Sequence, residues 1–372
     1  MSGIYIHIPF CKTKCGYCDF YSNNQIDLKQ AFLKSLLKEI GVRRNFINTE
    51  ESVNTIYFGG GTPSQLTIED CRLIIDELNR WFKVSPHAEI TFEANPDDLN
   101  PEYLSNLLQI GFNRISIGVQ TFDEAGLKLM NRRHNSKQAI DAVFMAQKAG
   151  FDNITIDLIY GYPGLLEETW IQNLKTAFKL PIKHLSSYHL IFEEGTPFHD
   201  LKKEKKLTEV DESVSNEHYS ILCEMAREHG FLHYEISNFC KEGWPSRHNS
   251  SYWDDTQYLG LGPSAHSYNQ LERCWNISST EKYIQFVDSD LKHWHSEVLG
   301  EKEKLNEFIM TRLRTSKGIL LHDFQQKFGT SALERLVTVA KKQSSLLVTD
   351  VSIAIPEDQL MVSDPYIVNL FV

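Results

Sequence analysis

The chain has 372 residues, 41% of them hydrophobic, and its 38 Lys and Arg against 49 Asp and Glu leave a net charge of −11. This hydrophobic content supports a sizeable core and excludes wholesale disorder. The negative charge argues against a nucleic-acid binder, which needs a basic surface for phosphate contacts, and it disfavours an anionic membrane surface. At about 150 residues per domain we expect two or three domains, although one barrel can fill about 250 residues.

Strand–helix repeats are predicted throughout the first half of the chain. Thr67 with Asp70, and Asn100 before Pro101, are typical helix starts, and Gly111 is a typical helix end. The predicted strands are residues 3–8, 53–58, 88–93, 115–119, 153–159 and 184–191, and the helices between them include residues 27–46, 67–82 and 167–180.

Six such units in series indicate parallel strands joined by right-handed crossovers. Two arrangements remain open, a doubly wound open sheet and a barrel or partial barrel. The unusual residues follow strand ends: three cysteines, a glycine run, Glu93, Gln120 and Asp157. Barrel enzymes build their sites on that face, which favours a barrel without deciding the matter.

The second half of the chain reads differently. Residues 208–229 are predicted to be helical, whereas residues 234–268 are rich in Gly, Pro, His, Trp and Tyr and show little periodicity. Beyond residue 301 we expect a helix, a short helix, a helix and β-like runs near 346–351 and 359–362, a winged-helix-like order. This tail holds nine basic and nine acidic residues, so we expect a packing or partner module rather than a DNA reader. The predicted units are residues 1–200, 201–300 and 301–372.

The chain contains seven cysteines, an odd number in which four are scattered. This usage indicates a reducing compartment rather than a secreted disulfide framework. The first residues have neither a basic segment nor a small-residue cleavage site, and no run of about 18 apolar residues occurs. We therefore expect a cytoplasmic protein, with a peripheral membrane contact left open.

Three cysteines, Cys11, Cys15 and Cys18, lie together directly after the first predicted strand. Three thiolates can bind three irons of a 4Fe–4S cluster and leave the fourth iron open to a substrate. A zinc site, with His7 as a fourth ligand, and three unrelated buried thiols are the alternatives. The spacing favours iron–sulfur over zinc.

The segment from Cys11 to Cys18, with the aromatic Tyr17 before the third cysteine, resembles the signature of the radical S-adenosylmethionine (SAM) superfamily. This resemblance implies a partial (β/α)6 TIM-like barrel of the α/β class. It also implies that the open iron binds SAM, whose sulfonium the reduced cluster cleaves to a 5′-deoxyadenosyl radical. An electron donor for the cluster is then required.

Further residues match family positions that contact this cofactor. Taken alone, the glycine run indicates a tight turn as readily as a ligand contact, and each polar residue would be an ordinary loop residue. Their joint order along the chain matches the family. The resemblance assigns cofactor contacts to Tyr5, Tyr17, Gly60, Gly61, Thr62, Glu93, Gln120, Arg132 and Asp157. Arg suits a carboxylate and Asp suits ribose hydroxyls.

Four longer segments are more specific: residues 5–11, 59–63, 115–120 and 157–163 resemble the oxygen-independent coproporphyrinogen oxidase family, including its haem chaperone branch, HemW. The oxidase branch carries a fourth cysteine two residues after the third, where this chain has Phe20. That difference argues against oxidative decarboxylation of the two propionates of coproporphyrinogen III, so enzymatic activity is left open. A radical enzyme acting on another substrate is a third alternative.

The segment His248-Asn249-Ser250-Ser251-Tyr252-Trp253 resembles the His-Asn-x-x-Tyr-Trp motif of the chaperone branch. An imidazole can ligate haem iron, and aromatic rings pack on a porphyrin face. Without the resemblance, a loop histidine among surface aromatics would be the simpler interpretation. The resemblance implies haem contacts at His248, Tyr252 and Trp253, with His266 as a weaker one, and transfer of haem to haem-requiring respiratory proteins.

Overall fold

The computed structural model describes residues 2–48 and 50–372. Six parallel strands pair strictly with their sequence neighbours. They are β1 (Ser2–Ile8), β2 (Val53–Gly60), β3 (Val84–Ala94), β4 (Arg114–Gln120), β5 (Asn153–Tyr160) and β6 (His184–His189), and the helices between them are α1 (Lys29–Val42), α2 (Ile68–Trp81), α3 (Pro101–Ile110), α4 (Glu124–Leu129), α5 (Ser136–Ala149) and α6 (Glu167–Ala177). A doubly wound sheet reverses its strand order at a switch point, and this sheet does not, so the predicted partial barrel is confirmed.

The predicted helix ends are confirmed by their capping contacts. Thr67 and Asp70 form a reciprocal capping box at the start of α2. The Asn100 side chain accepts a hydrogen bond from the backbone N–H of Tyr103 at the start of α3. Gly111 ends α3 in the left-handed region, with φ of 112°. These contacts satisfy backbone groups that a helix leaves unpaired at its ends.

Side chains alternate along the barrel strands between the helix layer and the interior. In β5, Ile154, Ile156 and Leu158 are fully buried in the main hydrophobic core. Their neighbours Asp157 and Ile159 line an interior cavity instead. The outer face of each strand supplies the apolar contacts to helices, and the inner face is free to carry polar groups.

The region from 197 to 298 extends the barrel sheet at both edges. Its elements are α7 (Pro197–Lys203), α8 (Glu212–Glu228), β7 (Leu232–Glu235), β8 (Asn238–Cys240), α9 (Arg247–Ser251), β9 (Gln257–Leu261), β10 (His266–Tyr268), β11 (Glu272–Asn276), α10 (Thr280–Asp288) and β12 (Trp294–Val298). Strand β8 pairs antiparallel with β6, and β9 pairs parallel with β1. The little periodicity of residues 234–268 reflects strands of three to five residues, which are too short to show a period.

The C-terminal part has a hydrophobic cluster of its own, between Phe308 and Leu370. Its elements are α11 (Glu301–Leu313), β13 (Ile319–Leu320), α12 (Leu321–Phe328), α13 (Thr330–Ala340), β14 (Leu347–Val348), β15 (Ser352–Ala354) and α14 (Asp364–Val368). Strands β13, β15 and β14 form a small antiparallel sheet, which confirms the winged-helix-like order. The predicted strand at 359–362 is wrong: Pro356 precedes a 3-10 helix, Glu357–Val362, and β15 is the second wing strand.

The division of the chain at residues 200 and 300 stays a prediction. Within the described ranges, no helix combines the length and the apolar character needed to cross a bilayer.

A buried carboxylate joins α1 to the strands that extend the barrel beyond β1. Glu39 is fully buried and accepts hydrogen bonds from the Gly262 backbone N–H at 2.8 Å and the Tyr283 hydroxyl at 2.6 Å. Its second oxygen accepts bonds from the side chains of Asn276 at 2.7 Å and His293 at 2.8 Å. Burial opposes ionisation, but the bonds from His293 and Tyr283 lower the pKa of Glu39 below its usual value. The network holds the chain at Gly262, whose next residues border the cavity.

We expect Glu39→Ala to lower the free energy of unfolding by about 3–5 kcal/mol, because it leaves several buried donors without their acceptor. Urea denaturation at neutral pH measures this loss. Glu301→Ala is the matched control, since the Glu301 side chain is 92% exposed, and it should change stability little. A loss below about 1 kcal/mol for Glu39→Ala would show that the network is not a support of the fold.

Candidate functional site

A cavity of about 790 Å³ opens at the carboxyl ends of the barrel strands and runs into the barrel. Its size lies in the range of roughly 300–1,000 Å³ that is usual for ligand sites. The predicted site residues that line it are Tyr5, Cys11, Cys15, Tyr17, Cys18, Gly60, Gly61, Thr62, Glu93, Gln120, Arg132, Asp157, His248, Tyr252 and His266. Trp253 is not among the lining residues, and its carbonyl oxygen accepts a hydrogen bond from Arg312 of α11.

The cysteine loop is tied to three separate parts of the chain. The Cys11 N–H donates to the Asn23 carbonyl at 2.8 Å. The Gly16 N–H donates to the Met130 carbonyl at 3.3 Å, and the Gly16 carbonyl accepts from the Phe198 N–H at 2.9 Å. A Cβ at Gly16 would lie 2.4 Å from the Phe198 ring, so only glycine allows this approach. These backbone contacts hold the loop in place, and the Asn131 side chain adds a hydrogen bond to the Lys14 carbonyl at 2.9 Å.

The three thiols are free and face polar partners. Cys11 Sγ lies 3.3 Å from the Thr62 hydroxyl, and Arg132 Nη1 donates to Cys15 Sγ at 3.2 Å. Burial, with Cys15 nearby, raises the pKa of Cys18 to about 12, and burial also raises the pKa of Cys11. Burial thus favours the protonated form of the Cys11 and Cys18 thiols in the metal-free protein. The hydrogen-bond donors near Cys11 and Cys15 would stabilise thiolates when a metal is bound.

The zinc alternative does not fit this arrangement. Within residues 2–48 and 50–372, no three His, Cys, Asp or Glu side chains converge closely enough to hold a single metal ion. The His7 ring, the suggested fourth ligand, has Nε2 at 2.8 Å from the Tyr21 carbonyl instead. A cubane cluster takes one thiolate at each of three irons, so its ligands do not need to converge on one point. The donor set therefore fits the cluster better than zinc. The scattered Cys71, Cys223, Cys240 and Cys274 are all buried.

Glu93 of β3 lies beside the glycine run at the end of the neighbouring strand β2. The Tyr57 hydroxyl donates to Glu93 Oε1 at 2.6 Å, and a Cβ at Gly59 would lie 2.9 Å from the same oxygen. Gly60, with φ of 104°, has no room for a Cβ, which would lie 2.5 Å from His7 Nδ1. Burial raises the pKa of Glu93 from 4.5 to about 7. An empty cavity therefore favours the neutral acid, and a cationic ligand group there would favour the carboxylate.

Arg132 and Gln120 meet over Gly118. Arg132 Nη2 donates to Asn95 Oδ1 at 2.6 Å and to the Gly118 carbonyl at 2.8 Å. A Cβ at Gly118 would lie 2.9 Å from Gln120 Nε2 and 3.3 Å from Arg132 Nη2. Burial raises the pKa of the neighbouring cavity acid, Asp157, to about 6. Gln120 of β4, Asp157 of β5 and Arg132, which follows α4, thus present an amide, a carboxyl group and a guanidinium to one ligand volume.

His248 lies at the inner end of the cavity, where α9 meets β2. Its Nδ1 is 2.9 Å from the Thr55 hydroxyl, and its Nε2 is 2.9 Å from the Tyr252 hydroxyl. The ring stacks on Tyr57 at 5.0 Å, and the backbone N–H of His248 donates to Glu89 Oε1 at 3.0 Å. Burial, with Arg114 as a lesser cause, lowers the pKa of His248 to about 3. The imidazole is therefore neutral and held on all sides.

Sequence reasoning missed several residues of this site, among them Thr55, Tyr57 and Glu89. Each of these residues lies on a strand with its side chain facing the interior. On a strand, every second side chain faces the same side. Alternation along the predicted strands was the available signal for Thr55 and Tyr57. No local signal indicates that Glu89 binds the start of α9, because the two segments are 159 residues apart.

Comparison with known proteins agrees with this geometry. The family model for the radical SAM superfamily matches residues 5–177, and that for the HemN C-terminal domain matches residues 299–350. The protein named heme chaperone HemW of Lactococcus lactis subsp. lactis (strain IL1403) is 36% identical over 332 residues, 88% of this chain and 85% of the relative. That of Bacillus subtilis (strain 168) is 35% identical over 338 residues, 89% of this chain and 88% of the relative.

This chain belongs to the HemW family of the radical SAM superfamily. A solved structure of coproporphyrinogen III oxidase, HemN from Escherichia coli, shares the fold, with a TM-score of 0.85 over 100% of this chain and 90% of that chain at 21% identity. In this HemW-family chain Phe20, two residues after Cys18, is 61% exposed and borders the cavity. Membership of the family implies a 4Fe–4S cluster and SAM, and the three thiols and polar strand ends fit both groups.

We expect Cys15→Ala to lose most of its iron and its brown colour after anaerobic reconstitution, because one of three cluster ligands is gone. Iron content per chain measures the loss. Cys274→Ala, which removes a buried thiol remote from the loop, is the control and should retain iron. Retention of about four irons per chain in Cys15→Ala would contradict the ligand assignment.

The contribution of Glu93 to the stability of the metal-free protein should decline as the pH rises from about 4.5 to 7. Because the pKa of Glu93 is raised, the native state binds more protons than the unfolded state in this window. The contribution of Glu93 to the free energy of unfolding is therefore complete below pH 4.5 and is lost as the pH rises through 7. Across this pH range the free energy of unfolding should fall by on the order of 3 kcal/mol through Glu93, and we expect Glu93→Gln to abolish this fall. Urea denaturation across this pH range tests the slope, and Glu102→Gln, at an exposed position of α3, should leave it unchanged.

Proposed function

We propose that the chain is a haem chaperone that binds haem in its cavity and transfers it to haem-requiring proteins such as respiratory cytochromes. The names of its relatives support this function. The observation that carries the proposal is one continuous cavity that joins the cysteine loop to imidazole rings and to an apolar rim formed by Phe20 and Ile191. A haem carrier needs a binding site of this kind, because haem is a flat and largely apolar ligand with a metal at its centre.

At the outer end of the cavity, Cys11, Cys15 and Cys18 would hold the 4Fe–4S cluster. When bound, the cluster and SAM supply an electron and a source of radical chemistry. Arg132 would stabilise the Cys15 thiolate, since its guanidinium already contacts that sulfur at 3.2 Å. An electron donor would be a partner of this end of the molecule.

The polar strand ends would orient SAM. We assign its amino group to the neighbourhood of Glu93 and the glycine run, because a cation there lets the carboxyl group ionise. Asp157, which accepts a hydrogen bond from the Ser116 hydroxyl at 3.2 Å, would accept ribose hydroxyls. Gln120, Thr62, Tyr5 and Tyr17 complete the proposed contact set.

The haem seat would lie between the imidazoles and the apolar rim. Phe20 and Ile191 are 61% and 56% exposed, although both border the cavity. Exposed apolar side chains at a cavity mouth are suited to cover a porphyrin face. His248, Tyr252 and His266 are the proposed haem contacts within the cavity. Trp253 would act indirectly, by anchoring the motif to α11.

The location of the protein remains part of the proposal. We place it in the cytoplasm, where its seven cysteines would stay reduced. Haem-acceptor proteins would then meet it there or at the inner face of a membrane.

Two assays on the same anaerobically reconstituted protein test this function. We expect stoichiometric haem binding by absorption titration, and no protoporphyrinogen from coproporphyrinogen III in the presence of SAM and a reductant. Transfer of bound haem to an apocytochrome should follow. Repeated turnover to protoporphyrinogen would instead establish the oxidase, and absence of haem binding would overturn the carrier role.

A further inference from the structure

Four imidazole rings line the cavity, and they differ in how many ring nitrogens are free to bind a metal. They are His7, His189, His248 and His266. An imidazole binds iron through the lone pair of an uncommitted nitrogen. The hydrogen-bond state of each ring therefore decides which one the cavity offers to a haem iron.

Both nitrogens of His7 and His248 are engaged. His7 Nε2 lies 2.8 Å from the Tyr21 carbonyl, and its Nδ1 lies 3.2 Å from the Tyr5 hydroxyl. The His248 ring is bracketed by two hydroxyl groups at 2.9 Å, and this residue is 1% exposed. Each ring would have to break a hydrogen bond before it could bind iron.

His189 is engaged at one nitrogen. Its Nε2 lies 2.7 Å from the Ser215 hydroxyl. Its ring also packs against Tyr160, with centroids 5.6 Å apart. This histidine is half-buried and faces α8 with its bound nitrogen.

His266 is different. Its side chain is exposed, and among the residues described neither ring nitrogen has a hydrogen-bond partner. The ring lies nearly parallel to Trp275, with centroids 6.4 Å apart and planes at 24°. The backbone is fixed by strand pairing with Trp275 and by the bond from the Asn276 N–H to the Ala265 carbonyl at 2.9 Å. A firmly held backbone thus presents a free imidazole at the cavity wall.

We propose that His266 is the residue that ligates the haem iron, and that His248 is a fixed part of the cavity floor. This inference rests on the proposed haem function and assigns the iron to one side chain. His248 shapes the floor because it stacks on Tyr57 and Tyr5 and receives the Tyr252 hydroxyl. Displacement of Tyr252 would cost roughly 2- to 10-fold in affinity for a His248-ligated haem, a cost that His266 does not bear.

Titration of the reconstituted full-length protein with ferric haem tests the assignment, with the Soret band and the electron paramagnetic resonance spectrum as readouts. We expect His266→Ala to change the ligand-field spectrum and to weaken binding by at least roughly 10- to 100-fold, the range known for loss of a metal ligand's hydrogen-bond partner. Added imidazole should restore the wild-type spectrum. His295→Ala removes a histidine on the other side of Trp275, outside the cavity lining, and is the matched control that should behave as wild type.

Two further variants distinguish ligation of the haem iron from an effect on the shape of the cavity floor. His248→Ala can weaken binding through loss of the floor, but it should keep the wild-type resonance spectrum. Tyr252→Phe keeps the aromatic ring and frees His248 Nε2; if His248 were the ligand, affinity should rise. An unchanged spectrum in His266→Ala, or loss of the spectrum in His248→Ala, would overturn the inference and leave the carrier function standing. Failure of the wild-type protein to bind ferric haem would overturn both.

Discussion

Side chains alternate between the two faces of a β-strand, and the six parallel strands use these faces for different purposes. The outer positions are apolar and fully buried, as Ile154 and Ile156 show. The inner positions carry carboxyl, guanidinium and aromatic groups that no helix covers. Because helices already supply the apolar core, the interior can remain a cavity rather than a packed centre. The proposed ligand contacts of Tyr5, Glu93 and Asp157, which lie on these strands, depend on this division.

The cavity has a thiol end and an imidazole end, and a stack of aromatic rings lies between them. Tyr5 stacks on Tyr57 at 6.1 Å and on His248 at 6.3 Å. The Tyr57 hydroxyl also binds Glu93, so the stack links the inner end of the cavity to the strand ends. The C-terminal part reaches the same region through Arg312, which binds the Trp253 carbonyl. Stacked rings and hydrogen bonds therefore connect the two ends of the cavity.

Burial shifts several ionisable groups of the empty cavity towards their neutral forms, while Arg132 keeps its charge. It raises the pKa values of the Cys18 thiol to about 12 and of the Glu93 carboxyl to about 7, and it lowers that of His248 to about 3. Metal and cationic ligands reverse the first two effects by favouring thiolate and carboxylate. Loading of the cavity is thus coupled to proton release. The neutral state limits the cost of holding these groups away from water before any ligand arrives.

The sequence by itself determined the features that act over short range. The helix starts at Thr67 and Asn100, the strand–helix repeat and the cysteine spacing depend on residues a few positions apart, and each was predictable. The family motifs also indicated which polar residues belong to the site. Their location at strand ends followed from the parallel repeat.

Only the tertiary structure decided the features that depend on distant partners. Each barrel strand pairs with its neighbour in the sequence, which distinguishes the barrel from a doubly wound sheet. The short strands β7 to β12 form because the edges of the existing sheet pair with them. Two histidines that look alike in sequence became different, because Thr55, 193 residues away, and Tyr252 occupy both nitrogens of His248 and nothing occupies those of His266 within the described residues. Hydrogen-bond state is a property of the folded neighbourhood, and no local pattern encodes it.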